Sequence, residues 1–268
     1  MQVSSSYSSA LRSYQQSSNK ISNDMTQVSS GKKINSAADN PAYLVILQNM
    51  EGQSRGYEQA IRNAQDTTSM LYTAEGAAGD SSAVLQDMRA LSVQAGDGTL
   101  TDQDRSYIQA QMTQLGSQLT ANANGANFNG MATNNGSLAG FQAQIGADSG
   151  QTMSVGLPDL TANALGVGGV DVSTQTSAQS AIASLDAATQ QLSSSRSGFG
   201  AQTNALEYTV GVLTQADENT QAAASQIGDT DMAKAMMDLR NEQVKQYASI
   251  YAMKQNMTQQ KGGRTLLA

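Results

Sequence analysis

Cysteine, histidine and tryptophan are absent from the 268 residues, and proline occurs only at Pro41 and Pro158. Without thiols there are no disulfides and no sulfur nucleophile. Without imidazole the usual general base near neutral pH is gone, as are zinc sites of the Cys or His type. Carboxylate-only chemistry, such as two-acid glycoside hydrolysis, survives those losses. The 22 acidic residues are scattered, however, and no pair stands out. The chain is therefore expected not to be an enzyme, with no catalytic, cofactor-binding or metal residue to assign. No stretch approaches the roughly 18 consecutive apolar residues of a membrane span, so no membrane insertion is expected. The start, MQVSSSYSSALRSYQQ, lacks the basic then apolar order of a secretory signal. A cytosolic reading follows only by default, since a cleaved signal is only one way out of a cell.

Aromatic residues make up 4% of the chain, and Ser, Thr, Gln, Asn and Ala fill much of the rest. Such a composition suits long helices burying narrow stripes better than it suits a thick core. Charge is unevenly spread. Residues 1–40 sum to +2 and residues 230–268 to +3, leaving -12 for the middle of a chain whose net charge is -7. Net acidity argues against nucleic-acid binding, and the pattern suits two ends sharing one environment while the middle faces another.

The first segment carries a seven-residue repeat, Tyr7, Leu11, Tyr14, Ser18, Ile21, Met25 and Val28, the spacing of a coiled-coil seam. It stops at Gly31. A second stripe runs through Tyr57, Ile61, Ala64, Thr68, Leu71, Ala74, Ala78, Ser81, Leu85 and Met88, predicting a helix over 43–95. At about 1.5 Å per residue such a helix is on the order of 80 Å long. Thr101-Asp102-Gln103-Asp104 is a capped start for a shorter helix over 101–121. The helical period then fails, and Asn124-Gly125, Asn129-Gly130 and Asn135-Gly136 predict short strands and loops over 122–175. Helical stripes return at Leu185, Ala188, Leu192, Phe199, Leu206 and Leu213, predicting a helix over 176–221. A last stripe follows at Met232, Met236, Leu239, Gln243, Gln246, Ile250, Met253 and Met257, flanked by Val244 and Tyr247.

The order is symmetric about its middle, and the simplest packing pairs the two ends with each other and the two long inner helices with each other. The fold class is mainly α: a long antiparallel helical coiled-coil bundle with a small β-hairpin region. Linkers are expected at 35–42 and 222–228. The terminal stripes are too narrow and too rich in Ser and Gln to hold a free pair together, so they are expected to order with help from neighbouring copies.

Several blocks carry a resemblance: VSSGKKINSAADNPAYLVI (28–46), QAIRNAQDTTSMLYTAEGA (59–77), LQDMRALSVQAGDG (85–98), ANFNG (126–130), GAQTNALEYTV (200–210) and DTDMAKAMMDLRNEQVKQYASIYAMKQN (229–256). In that order, and reaching both ends, they resemble bacterial flagellin, the flagellar filament subunit. The resemblance implies that 1–34 and 229–268 form the inner tube of a helical homopolymer and that 43–221 form a shell domain. Gly31, Lys32, Lys33, Asn35 and Pro41 would then lie in a spoke between tube and shell, Gly31 leaving one helix and Pro41 opening the next. The assembly seam implied comprises Tyr7, Leu11, Tyr14, Ile21, Met25, Val28, Met236, Leu239, Tyr247, Ile250, Met253 and Met257. Export unfolded through the flagellar type III channel, assembly under a cap, and contacts with junction proteins, an export chaperone and the export apparatus follow from the same resemblance.

Two departures stand out. Only about forty residues separate Gly130 from the helix beginning near Thr176, which looks like a minimal flagellin without large outer domains. The ending KGGRTLLA is glycine-rich and basic where relatives are often more apolar, which puts the chaperone contact in doubt. The innate immune receptor for flagellin reads a cluster that Arg89 and Leu91 match, but Asp87, Ala90 and Gln111 depart from it, so weak receptor activation is expected. The rival within the family is the hook–filament junction protein. A membrane-active secretion effector would need wider apolar faces with basic rims. A metallopeptidase insert needs HExxH, which a chain without histidine lacks.

Overall fold

A computed structural model describes the backbone of residues 2–265 and the side chains of residues 7–259. KGGRTLLA therefore lies outside the described side chains. The elements, in chain order, are α1 (Gln2–Ser30), α2 (Pro41–Ala95), α3 (Asp102–Gly125), β1 (Asn127–Phe128), β2 (Met131–Ala132), β3 (Phe141–Gln144), β4 (Thr152–Val155), α4 (Gln175–Gly228) and α5 (Met232–Thr265). The chain divides into two compact units, one of residues 1–54 with 218–268 and one of residues 55–217.

These limits differ from the expected ones. The segment 222–228 is the last part of α4 rather than a linker, because AAASQI (222–227) has neither proline nor glycine and is rich in strong helix formers, the glycine coming only at Gly228 where the helix ends. The division between units likewise falls within α2 and α4. Helix α3 runs on through Asn122 to Gly125, where the first glycine after Gly116 stands.

In the second unit, α2, α3, α4 and the hairpins enclose one core. Ala64, Leu71, Ala74, Ala78, Leu85 and Met88 of α2 and Leu185, Ala188, Leu192, Phe199 and Leu206 of α4 are buried together in it. These are the predicted stripe positions, and the alanines permit close helix approach. Ion pairs Glu75–Arg196 and Arg89–Asp186, each with a closest N–O distance of 2.7 Å, fix α2 and α4 as antiparallel. The capping box is present: Thr101 Oγ accepts from the Asp104 amide, while the Asp104 carboxylate accepts from the Thr101 amide and hydroxyl.

Of the three Asn-Gly pairs, only Asn129-Gly130 makes a two-residue hairpin turn, between β1 and β2, with φ of +49° and +78°. Asn124-Gly125 closes α3. Asn135 Oδ1 instead accepts from the Ser137 amide in a local side-chain turn. Strands β3 and β4 pair antiparallel, with Phe141 opposite Val155, and Asn63 Nδ2 donates to the Gln144 backbone carbonyl, tying this hairpin to α2. No helix among the described residues is long and apolar enough to cross a membrane.

Candidate functional site

The first unit is built from α1, the segment after it, the start of α2, the end of α4, and α5. Helix α1 ends where its period ends. Gly31 adopts φ of +69°, and its amide still donates to the Gln27 carbonyl, the left-handed close that favours glycine. Two backbone bonds then clamp the exit: Lys33 N–H donates to Gly228 at 2.6 Å and Thr230 N–H donates to Gly31 at 2.9 Å. Lys32 and Asp229 are thereby paired antiparallel.

Lys32 Nζ also reaches Glu51 at 2.7 Å. Asn35 Nδ2 donates to the Lys32 carbonyl, and Ile34 is buried. The Asp39 carboxylate accepts from the amides of Asn35 and Ser36 and from the Ser36 hydroxyl. Those backbone donors hold the Asp39 carboxyl below the usual carboxylate range. Asn40 Oδ1 caps α2 by accepting from Tyr43 N–H, and Pro41 is the first residue of that helix. All five predicted linker residues thus fall in one short, internally hydrogen-bonded segment. Asp39 and Ile34, which shape it, were missed by sequence reasoning; the spacing Ser36-x-x-Asp39 was the available signal.

Helices α1 and α5 pack antiparallel, with the exit clamp at one end and a Lys20–Glu242 pair further along. The covered positions follow the predicted stripe only in part, with Ser18, Gln243 and Ile250 of it half-buried. The covered rows run through Ala10, Tyr14, Ser17, Ile21, Asp24 and Val28 on α1 and through Ala235, Leu239, Glu242, Gln246, Ser249 and Met253 on α5. Both sets keep the alternating steps of four and three.

Tyr14, Ile21, Val28, Leu239 and Met253 therefore lie on the intrachain seam, and Ile250 is half-buried beside it. Tyr7, Leu11, Met25, Met236, Tyr247 and Met257 do not; they are exposed. The most buried side chains in the seam are small or polar: Ser17, Ala235, Glu242 and Ser249. Glu242 is held by Lys20 at 3.4 Å and Lys245 at 2.8 Å, and the Lys245 hydrogen bond keeps its carboxyl below the usual range. Asp24 moves the other way, pushed up by burial and then by Asp238 and Glu242, against Lys20.

A second stripe on α5 remains uncovered. Met237 (61% exposed), Val244 (67%), Tyr247 (71%) and Tyr251 (68%) follow at steps of seven, three and four. These four large apolar side chains are left outside while the most buried seam positions hold serines, an alanine and a glutamate. A monomeric protein gains nothing from that arrangement, whereas a subunit awaiting neighbours does.

The comparisons with known proteins carry the same message. Residues 3–139 match the family profile described as the bacterial flagellin N-terminal helical region, and residues 182–261 match its C-terminal helical region. A flagellin of Halalkalibacterium halodurans is 38% identical over 84% of this chain and 84% of its own. The chain belongs to the bacterial flagellin family. Flagellins are structural proteins of the extracellular flagellar filament, serving motility, and not enzymes. The flagellin of Bacillus subtilis is 35% identical over 84% of this chain and 86% of its own. Among solved structures, Bacillus cereus flagellin superposes with a TM-score of 0.51 at 30% identity, over 61% of this chain and 94% of that one.

The two residues of the predicted receptor cluster belong to the second unit of this flagellin. Arg89 Nε donates to Asp186 at 2.7 Å, and Leu91 is half-buried against the core. Asp87, Ala90 and Gln111 are exposed.

Proposed function

We propose that this flagellin polymerises helically through its terminal helices, with Leu11 and Met25 of α1 and the Met237–Val244–Tyr247–Tyr251 stripe of α5 contacting neighbouring copies. The observation that carries the reading is the division of labour on α5: Ala235, Glu242 and Ser249 are buried inward while Met237, Val244, Tyr247 and Tyr251 stay exposed outward. Residues 1–34 and 229–268 are the tube-forming parts in this reading, with Gly31, Lys32, Lys33, Asn35 and Pro41 in the spoke. Tyr7, Tyr14, Ile21, Val28, Met236, Leu239, Ile250, Met253 and Met257 complete the seam, those of the intrachain interface by setting the helix pair that neighbours meet.

Head-to-tail association around a non-closing axis follows from one chain offering one surface and accepting another. Passage unfolded through the flagellar type III channel suits a chain without disulfides whose terminal seam buries little apolar surface. Assembly then involves the cap, the junction proteins, the export apparatus and a chaperone. The test is electron microscopy of chain monomerised by heat and incubated in a precipitating salt. Long uniform filaments are the expected outcome; short rings would favour a junction protein, and persistent monomers would overturn the reading.

For the immune receptor, Arg89 is engaged by Asp186, and Asp87, Ala90 and Gln111 supply none of the charges the family cluster uses, so activation is weak. A reporter-cell assay giving the potency of a typical flagellin would reject this.

A further inference from the structure

Methionine is unevenly distributed between the two units. Met70, Met88 and Met112 are buried in the second unit, whereas Met25, Met236, Met237 and Met257 are exposed on α1 or α5. Access to the thioether governs its oxidation, and the sulfoxide is a polar, chiral group in place of a flexible apolar one. Within an interface that oxygen is desolvated without an assured partner.

We propose that the exposed methionines of the terminal helices, centred on Met236 and Met237, are a reversible oxidation site whose sulfoxide form blocks addition of the chain to a polymer. The reactant class is a two-electron oxygen donor such as hydrogen peroxide. The sulfur lone pair attacks one peroxide oxygen, an S–O bond forms as the O–O bond breaks, and the departing hydroxide takes the proton of the sulfur-bound hydroxyl, leaving sulfoxide and water. Sulfur is oxidised by two electrons and the peroxide reduced by two. The inference rests on the self-assembly reading, because only neighbours give the α5 stripe something to lose. It also follows that a copy already inside a polymer is shielded, so the modification acts on free subunits.

The test treats full-length monomer with hydrogen peroxide, maps the sulfoxides by peptide mass spectrometry, and then induces polymerisation. The expected map shows Met25, Met236, Met237 and Met257 oxidised ahead of Met70, Met88 and Met112. The expected polymerisation shows at least about a tenfold rise in critical concentration, equivalent to about 1.4 kcal/mol per subunit. Methionine sulfoxide reductases of both epimer specificities restore filament growth. Filaments treated after assembly keep Met236 and Met237 reduced.

The M236L/M237L chain has no oxidisable sulfur at these two positions, so peroxide is expected to leave its critical concentration at the value of the same variant before treatment, whatever that value is. Reductase rescue of the unmodified sequence gives the same control without a substitution. Oxidised wild-type chain that polymerises at the untreated critical concentration overturns the proposal, as does equal oxidation of Met70, Met88 and Met112. Untreated chain that stays monomeric overturns the self-assembly reading itself, which separates the two failures.

Discussion

Gly31 stands where the chain must turn out of α1 with positive φ, and a Cβ there would meet nothing within 4 Å. The cost of Gly31→Ala is therefore purely one of backbone conformation, about 1 kcal/mol, measurable as a lower melting temperature; Gly31→Asn is expected to cost less. Gly228 differs, since a Cβ there would approach Leu47 Cδ2 at 3.0 Å. Two carboxylates in the α1–α5 seam oppose one another in pH dependence. Glu242 has a depressed folded pKa, so its contribution is present above the ordinary carboxylate pKa and is lost as pH falls through the folded value. Asp24 has a raised folded pKa, so it weakens the seam at neutral pH and ceases to do so as pH falls through that value. Asp24→Asn is expected to slow amide exchange in α1 and α5 at neutral pH, and Glu242→Gln to speed it. Observing the reverse order would reject this reading of the seam charges.

At the scale of elements, α3 is held at its start by two devices. The Thr101 cap is worth about 1 kcal/mol, the loss expected from Thr101→Ala in chemical denaturation. Arg105 is nearly buried, its guanidinium donating to the carbonyls of Ala95 at 2.9 Å and Asp97 at 2.7 Å, which closes the C-terminal end of α2. Arg105→Ala strands both carbonyls and is expected to cost roughly 2–3 kcal/mol by the same measurement. The cap was legible from Thr101-Asp102-Gln103-Asp104, because capping is a local matter of four residues. Arg105 was not, because its partners sit on another element. The long stripes of α2 and α4 were legible position by position, since each helix has one covered face there. The stripes of α1 and α5 were legible only in part, since exposed apolar residues such as Leu11, Met25, Val244 and Tyr251 stand beside the covered rows at similar spacing.

For the whole molecule, the decisive quantity is the apolar surface that the single chain leaves uncovered. Val244→Asp with Tyr251→Asp places charge on the exposed α5 stripe and spares the intrachain seam. The expected outcome is loss of filaments by electron microscopy, with helicity and the melting of residues 55–217 unchanged. Val155 and Leu160, fully buried in the second unit, mark the part of the chain whose stability is its own. Retention of filaments in the double variant would move the assembly surface elsewhere on α1 and α5.

The order of amino acids already dictates helix positions, the Asn129-Gly130 hairpin, the breaks at Gly31 and Pro41, and the absence of thiol or imidazole chemistry, because each depends on residues close together in the chain. Its motif blocks also carry the flagellin family. Folding adds the choice between competing faces: Ser17, Glu242 and Ser249 go inward and Val244, Tyr247 and Tyr251 outward. That choice depends on how closely two backbones approach, and small side chains with a paired carboxylate allow an approach that tyrosines at the same positions would prevent. Hydrophobic spacing is the same for both faces, so only the packed helix pair distinguishes the surface kept within the chain from the one left for its neighbours.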